Sequence, residues 1–362
     1  MPALLSRPGV VLLVAVALVA GLIAVACDRA GDAPADRATL RRQVLASLAR
    51  DLAAPRARAL AGSAAAFTAS CDDLVENEDV TRLEAARSAW RALRADWRRF
   101  EPFLIGPAAT GLFAERLDAK LDAAGLRTAI TAADADAVAR LGAGTKGFAA
   151  QSRLLFGEEP GADECRFLAL VARETEAELR ALAALWDAKD GALGAALAGS
   201  RSDGPFADDV EARDALVKQA VVLAIRLRDQ GLAPLVGATS GGVVRRFPSD
   251  FDPARRHRAD LVASYEGLRD LMRGAPDVEG ARGLLALVEV ASPRVAAAVR
   301  GALDRAVSRM EALPEDLSAA MGQEDPALTA AYDASTLVKA QLGTSVVGVL
   351  ETTLGFALAD GD

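Results

Sequence analysis

An all-α protein of two packed helical bundles is what this sequence predicts, on three observations. Alanine and leucine abound in a chain that is 52% hydrophobic but only 4% aromatic, a composition suited to closely packed helices. Apolar residues return at three- and four-residue spacings over long stretches, the period of a buried helix face. Glycine and proline punctuate these stretches, most densely at 190–205, "DGALGAALAGSRSDGP", where a domain boundary is expected. The 362 residues are enough for two ordinary domains or one large one. The organisation expected is 1–26, 27–39, a bundle over 40–195 and a second over 205–362.

The first segment reads as export machinery. Residues 1–8 carry one charge, Arg7, and Gly9 to Ala26, "GVVLLVAVALVAGLIAVA", carry none. A basic start, an apolar run and small residues before a cleavage point make a secretory signal over 1–26. Cys27 follows Ala24-Val25-Ala26 and resembles the lipidated cysteine of bacterial lipoproteins, although that pattern prefers leucine where Ala24 stands. A plain cleaved signal is one alternative; an uncleaved anchor is the other, since about 18 apolar residues can just span a bilayer. Residues 27–39 then form a flexible polar tether. Asp28 after Cys27 hints at inner-membrane retention, which leaves the choice of membrane open. Export implies an oxidising compartment, where Cys71 and Cys165 are either a disulfide or two buried apolar cysteines.

The helices follow in order. Leu40, Val44, Leu45, Leu48 and Leu52 share a face that should end before Pro55. Leu60, Ala64, Phe67, Cys71 and Leu74 form a second stripe. Leu83, Ala86, Trp90, Leu93, Trp97 and Leu104 form the clearest one, with Thr81 and Glu84 as a capping box and Gly106-Pro107 as its stop. An alanine-rich region, 112–141, should break at Gly125. After Gly157 an acidic loop, "EEPGADE", leads into a long helix from about Arg166 to Trp186. In the second half, Leu216–Leu227, Leu261–Met272 and Val295–Met310 carry further stripes. Between the first two lies "GATSGGVVRRFPSDFDPARRH", a long irregular connection of the kind that is often functional. The tail from Thr344 is ambiguous between helix and strand.

Charge and composition exclude several classes. The net charge is −8 and the isoelectric point about 5.0, whereas a nucleic-acid binder would be basic. One histidine in the whole chain argues against a conventional histidine-based metalloenzyme. No glycine-rich phosphate loop, Cys-x-x-Cys pair or Gly-x-Ser-x-Gly elbow occurs. Ser/His/Asp catalysis would need a serine beside His257, and nothing in the sequence places one there.

Several segments together resemble the imelysin family, the M75 peptidase-like proteins of bacterial envelopes. They are "LEAARSAWRALRADWRRFEPFLIGP" (83–107), "KGFAAQSRLLFG" (146–157), "CRFLALVARETEAELRALAALW" (165–186), "DLVASYEGLRDLM" (260–272) and "TLGFALADGD" at the end. The resemblance implies an all-α protein of two bundle-like domains with a site at their interface. It also implies an exported protein, often a lipoprotein, frequently tied to iron uptake. The family signature, Gly-x-His-x-x-Glu before Leu-Leu-Phe-Gly, falls on Gly147 to Ser152. Here Ala149 stands in the histidine position and Ser152 in the glutamate position. A histidine and a glutamate three residues apart on a helix can reach one metal. Alanine offers no donor, and a neutral hydroxyl is a poor ligand for a divalent ion. No metal-bound water would then be available as a nucleophile. The family's peptidase label is therefore not carried over. The expectation is a non-catalytic binding or scaffolding component of iron acquisition, lipid-anchored on the periplasmic side and working with an envelope protein partner.

Ligand or partner contacts are expected near Gly147, Gln151, Ser152 and Arg153, the last replacing the family's usual aromatic, and near Arg226, Arg228, His257 and the 237–257 connection. The plain alternatives are a solvent-facing Arg153, a surface or capping His257, and arginines that serve the C-terminal dipole of their helix. Arg91, Arg94 and Arg98 share a face that reads as solvated or as a docking patch. No cofactor is expected, but iron is compatible with compensating carboxylates such as Glu101, Glu158 or Asp360, since hard oxygen donors suit it. Glu159, Asp163, Glu164 and Asp362 are weaker carboxylate candidates. An envelope peptidase with a displaced site is the remaining alternative.

Overall fold

A computed structural model describes residues 36–77, 79–131, 134–199, 203–238, 253–317 and 325–354. The signal segment, Cys27, the tether up to residue 35, most of the 237–257 connection, and Asp360 and Asp362 lie outside the described residues. All regular structure among the described residues is helical.

The chain enters as α1 (36–47), passes through a π-helical turn, Leu48–Ala53, and continues as α2 (Ala54–Glu76). The expected stop before Pro55 is thus corrected: the helix runs on. A proline ring clashes with the carbonyl four residues back and supplies no N–H. The π-turn widens the helix just before it, with the Ala54 N–H bonding to Ala49 O, and so removes the conflict.

α3 (Val80–Phe100) is capped by Asp79, whose carboxylate accepts the Arg82 N–H at 2.9 Å. This replaces the Thr81–Glu84 capping box that the sequence suggests; aspartate is a strong cap and starts the helix earlier. The expected stripe is buried, Leu83, Ala86, Trp90, Leu93 and Trp97, and Arg94 is buried with it. A 3-10 turn, Glu101–Phe103, and five short helical segments between Pro107 and Lys146 follow. Gly125 does not break the chain. It sits in the first turn of Ala123–Thr131, where Asp122 accepts its N–H at 2.9 Å, and the break falls at 118–122.

α4 (Phe148–Phe156) and α5 (Ala162–Leu185) complete the first half. α5 begins four residues earlier than expected because Glu164 reaches back to accept the Gly161 N–H at 2.8 Å. Asp163 and Glu164 therefore belong to its first turn, where negative charge suits the helix dipole, and not to an acidic loop. The second half holds α6 (Asp209–Arg226), a second π-turn (Leu227–Leu232), α7 (His257–Arg273), α8 (Pro293–Glu311) and α9 (Pro326–Ala340). The ambiguous tail is helical as far as Leu350, through a third π-turn, Gln341–Val346.

α2 packs against both α3 and α5, α3 against α7, α7 against α8, and α8 against α9. One hydrophobic cluster runs from Val44 to Leu350. Its aromatic centre is Trp186, with Phe100 and Phe103 edge-on at ring-centroid distances of 6.3 and 5.8 Å, a geometry aromatic quadrupoles favour. The α3–α7 contact is backbone-close. A Cβ on Gly267 would lie 2.7 Å from the Arg99 carbonyl oxygen, so only glycine lets the two helices approach this far. That approach brings Asp260 of α7 against the arginines of α3.

Candidate functional site

The stretch Gly147–Gly157 forms α4 and its two ends. Gly147 is required by crowding: a Cβ there would meet the Leu117 carbonyl at 2.7 Å. Phe148 lies 5.9 Å from Trp97 and Phe156 lies 5.4 Å from Trp90, ring centroid to centroid. Leu154 and Leu155 are buried. The glycine is thus accounted for by crowding against Leu117, the leucines by burial in the core, and the phenylalanines by packing of α4 on α3.

The side chains inside that frame have distinct fates. Gln151 is 0% exposed. It accepts from Trp90 Nε1 at 3.0 Å and donates to Thr175 Oγ1 at 2.8 Å and to the Lys146 carbonyl at 3.1 Å. Both of its N–H groups are committed, so Gln151 is a structural hub and is corrected from a ligand-contacting candidate. Ala149 is half-buried and offers no donor atom. Ser152 is 5% exposed and its hydroxyl has no hydrogen-bond partner. Arg153 folds back along the end of α4, where a Cβ on Gly157 would lie 2.8 Å from its Nη1.

One turn away is a charged network that joins the two halves. Arg94 donates to Asp118 Oδ1 at 2.6 Å and to Asp260 Oδ2 at 2.8 Å. Arg98 contacts Glu101 Oε1 at 2.6 Å, Asp118 Oδ2 at 2.8 Å and Asp260 Oδ2 at 3.2 Å. Arg226, at the end of α6, contacts Glu101 Oε1 at 2.5 Å, and Ser264 of α7 donates to Glu101 Oε2 at 3.2 Å. Glu101 is 1% exposed and Arg94 8%. The expectation of a solvated arginine face is corrected for Arg94 and Arg98: the fold inserts them between three carboxylates. Two guanidiniums four residues apart on one helix repel, and only the convergence of Asp118 and Asp260 from distant segments makes their burial tolerable.

The titration of the network follows from this geometry. Burial alone would raise the Asp118 and Asp260 carboxyls; Arg94 and Arg98 outweigh it and hold both below the usual aspartate range. In the unfolded chain they titrate near about pH 4. Between that value and their lower folded ones the unfolded state binds more protons, so stability rises with pH there. The expected result is a thermal midpoint that changes little from about pH 7 to 5 and falls steeply below about pH 4. Asp118→Asn should flatten that acid limb, as read by calorimetric scans across the range. An unchanged limb would mean that the network does not couple to folding.

The other expected contacts are scattered. Arg228 lies over the Tyr332 ring at 4.8 Å, donates to Thr336 Oγ1 at 3.1 Å and pairs with Asp229, which also accepts from Lys339 at 2.9 Å. This cluster ties the second π-turn to α9. His257 opens α7 with Nε2 2.9 Å from the Gly231 carbonyl. Glu158 is exposed in the turn after α4. Cys71 and Cys165 are buried thiols on α2 and α5, and Cys165 donates to the Pro160 carbonyl at 3.9 Å. Burial, with Asp72 and Cys165 nearby, pushes the Cys71 thiol far above its ordinary range. A cleft of about 710 Å³ lies elsewhere, lined by Arg42, Arg50, Leu197, Phe206 and Arg282. Sequence reasoning missed Asp118, Asp260 and Ser264; only the helix-face position of Arg94 and Arg98 signalled that carboxylates must lie opposite.

The residues do not fit a metal at the signature positions. Ala149 has no ligand atom and Ser152 only a neutral hydroxyl, while Glu101 is already held by Arg98, Arg226 and Ser264. Among the described residues, no three His, Cys, Asp or Glu side chains stand together so as to share a metal ion.

Fold and site define an all-helical protein with a buried guanidinium–carboxylate joint beside an altered signature helix. The family model of imelysin, peptidase M75, matches residues 50–342, and the chain belongs to that family. It is 28% identical over 152 residues to iron-regulated protein A of Synechococcus elongatus, a match covering 41% of this chain and 42% of that protein. The chain thus spans less than half the length of this curated relative. Two crystal structures share the fold, each with a TM-score of 0.72. One, from Parabacteroides distasonis, is assigned as an iron-regulated protein A precursor; it is 18% identical, with 87% of this chain and 96% of that one covered. The other is an imelysin-like protein from Psychrobacter arcticum, 19% identical, with 88% and 98% covered.

Proposed function

We propose that the chain is a non-catalytic, imelysin-like lipoprotein of the bacterial envelope, serving iron acquisition as a binding or scaffolding component with a dedicated envelope partner. The observation that carries this reading is the pair Ala149 and Ser152 in the two signature positions, where neither a metal nor the hydroxide it would generate has ligands. The neighbouring carboxylates do not compensate, because guanidiniums occupy the space a cation would take. The iron link is supported by the likeness to iron-regulated protein A. Export is supported by the apolar segment before Cys27 and by the precursor assignment of the Parabacteroides relative; lipidation of Cys27 would anchor the protein on the periplasmic side. Among the described residues no helix is long and apolar enough to cross a membrane.

Elemental analysis of protein purified without chelator, with calorimetric titration of iron and zinc, tests the reading. Less than a tenth of an equivalent of either metal is expected. Binding near one equivalent would overturn it and direct attention to Glu158 and Asp360.

A further inference from the structure

We propose that Ser152, Arg91 and Arg94 form a receptor for a small oxyanion, a phosphate or carboxylate group, where α4 packs on α3. This deepens the non-metal reading of the same site and rests on it.

Phe148, Ser152 and Phe156 succeed one another at four-residue intervals and so lie along one face of α4. The Arg94 guanidinium sits over the Phe148 ring at 4.9 Å and the Arg91 guanidinium over the Phe156 ring at 4.7 Å. Along α4, Ser152 therefore lies between the two rings on which these guanidiniums are seated. Its hydroxyl is buried and has no hydrogen-bond partner, a condition that native interiors avoid unless something else satisfies the group. Arg91 is half-buried, and its contact among the described residues is with a ring, not a carboxylate. Arg94 spends Nε and Nη1 on Asp260 and Asp118, which leaves Nη2.

These three groups have one need in common. Guanidiniums can only donate, and the serine hydroxyl can donate to an anion. What is missing is an acceptor carrying negative charge. Phosphate and carboxylate oxygens match the planar fork of arginine, whereas a metal cation would be repelled by both guanidiniums. Ala149, one turn before Ser152, is small and half-buried.

The test uses the full-length protein in detergent and a chloride buffer, titrated calorimetrically with inorganic phosphate and, separately, with malonate. Iron and zinc titrations are run on the same preparation. Saturable one-site binding of at least one anion is expected. Binding of phosphate alone points to a phosphorylated source, and binding of malonate alone to a carboxylate one. Ser152→Ala and Arg91→Gln should each weaken that binding tenfold or more. Their unfolding temperatures without anion should stay close to the parent's, since neither side chain holds a hydrogen bond of the fold and Arg91→Gln gives up only its contact with the Phe156 ring. Absence of saturable anion binding by the parent protein overturns the receptor, as does affinity unchanged in either variant. Metal binding near one equivalent would sink the non-metal reading itself, while absence of anion binding by the parent protein without any metal binding overturns the receptor alone.

Discussion

Replacing Arg94 with methionine should destabilise the protein by about 3–5 kcal/mol, the usual consequence of removing one partner from a buried ion pair. Asp118 and Asp260 would each lose their closest guanidinium contact, and Arg98 would have to serve both aspartates while sharing Glu101 with Arg226. Most of the loss is the cost of leaving carboxylates buried without compensation, not the intrinsic worth of the bridge. The double variant Arg94→Met with Asp260→Leu should therefore recover part of it, because an apolar pair of similar volume removes the stranded charge. Urea unfolding of the two single variants and the double variant, analysed as a cycle, measures this coupling. A single-variant loss below about 1 kcal/mol, the scale of an exposed pair, would mean that water reaches the network.

Gln151→Leu should cost about 2–4 kcal/mol, although glutamine and leucine are of similar size. The substitution strands the buried Trp90 Nε1 and the Lys146 carbonyl and removes the donor paired with Thr175 Oγ1. Each unsatisfied buried group costs about 1–3 kcal/mol, and the Thr175 hydroxyl, which can both donate and accept, can rotate to another partner. Denaturant midpoints at constant slope would measure the effect. Anion affinity per folded molecule should stay unchanged, because Gln151 acts on the fold and not on the ligand. A loss of binding in fully folded Gln151→Leu protein would instead place this side chain in the receptor.

Much of the architecture was legible in the sequence. The Leu83, Ala86, Trp90, Leu93 and Trp97 stripe named the buried face of α3 because a helix core obeys a local period. The family resemblance carried the all-helical fold. Local capping was less legible: Asp79 displaced the Thr81 box, and Glu164 moved the start of α5, since several nearby residues can satisfy the same N–H groups. Pro55 misled for a related reason. A proline predicts a broken helix only when the helix keeps its α register, and the π-turn at Leu48–Ala53 changes that register.

The charged site divides differently. That no metal has its usual ligands at positions 149 and 152 was determined by residue type alone, because no fold can make a donor atom out of a methyl group. That Arg94 and Arg98 are buried, that Glu101 is closed to a cation and that Ser152 is left without a partner was decided only by the tertiary structure. Asp118 and Asp260 stand 142 positions apart in the chain, and no periodicity connects residues so distant. Their meeting depends on Gly267 letting α7 press against the backbone of α3. Side-chain chemistry is a local property of the sequence; electrostatic neutralisation depends on distance in space, which exists only once the helices have packed.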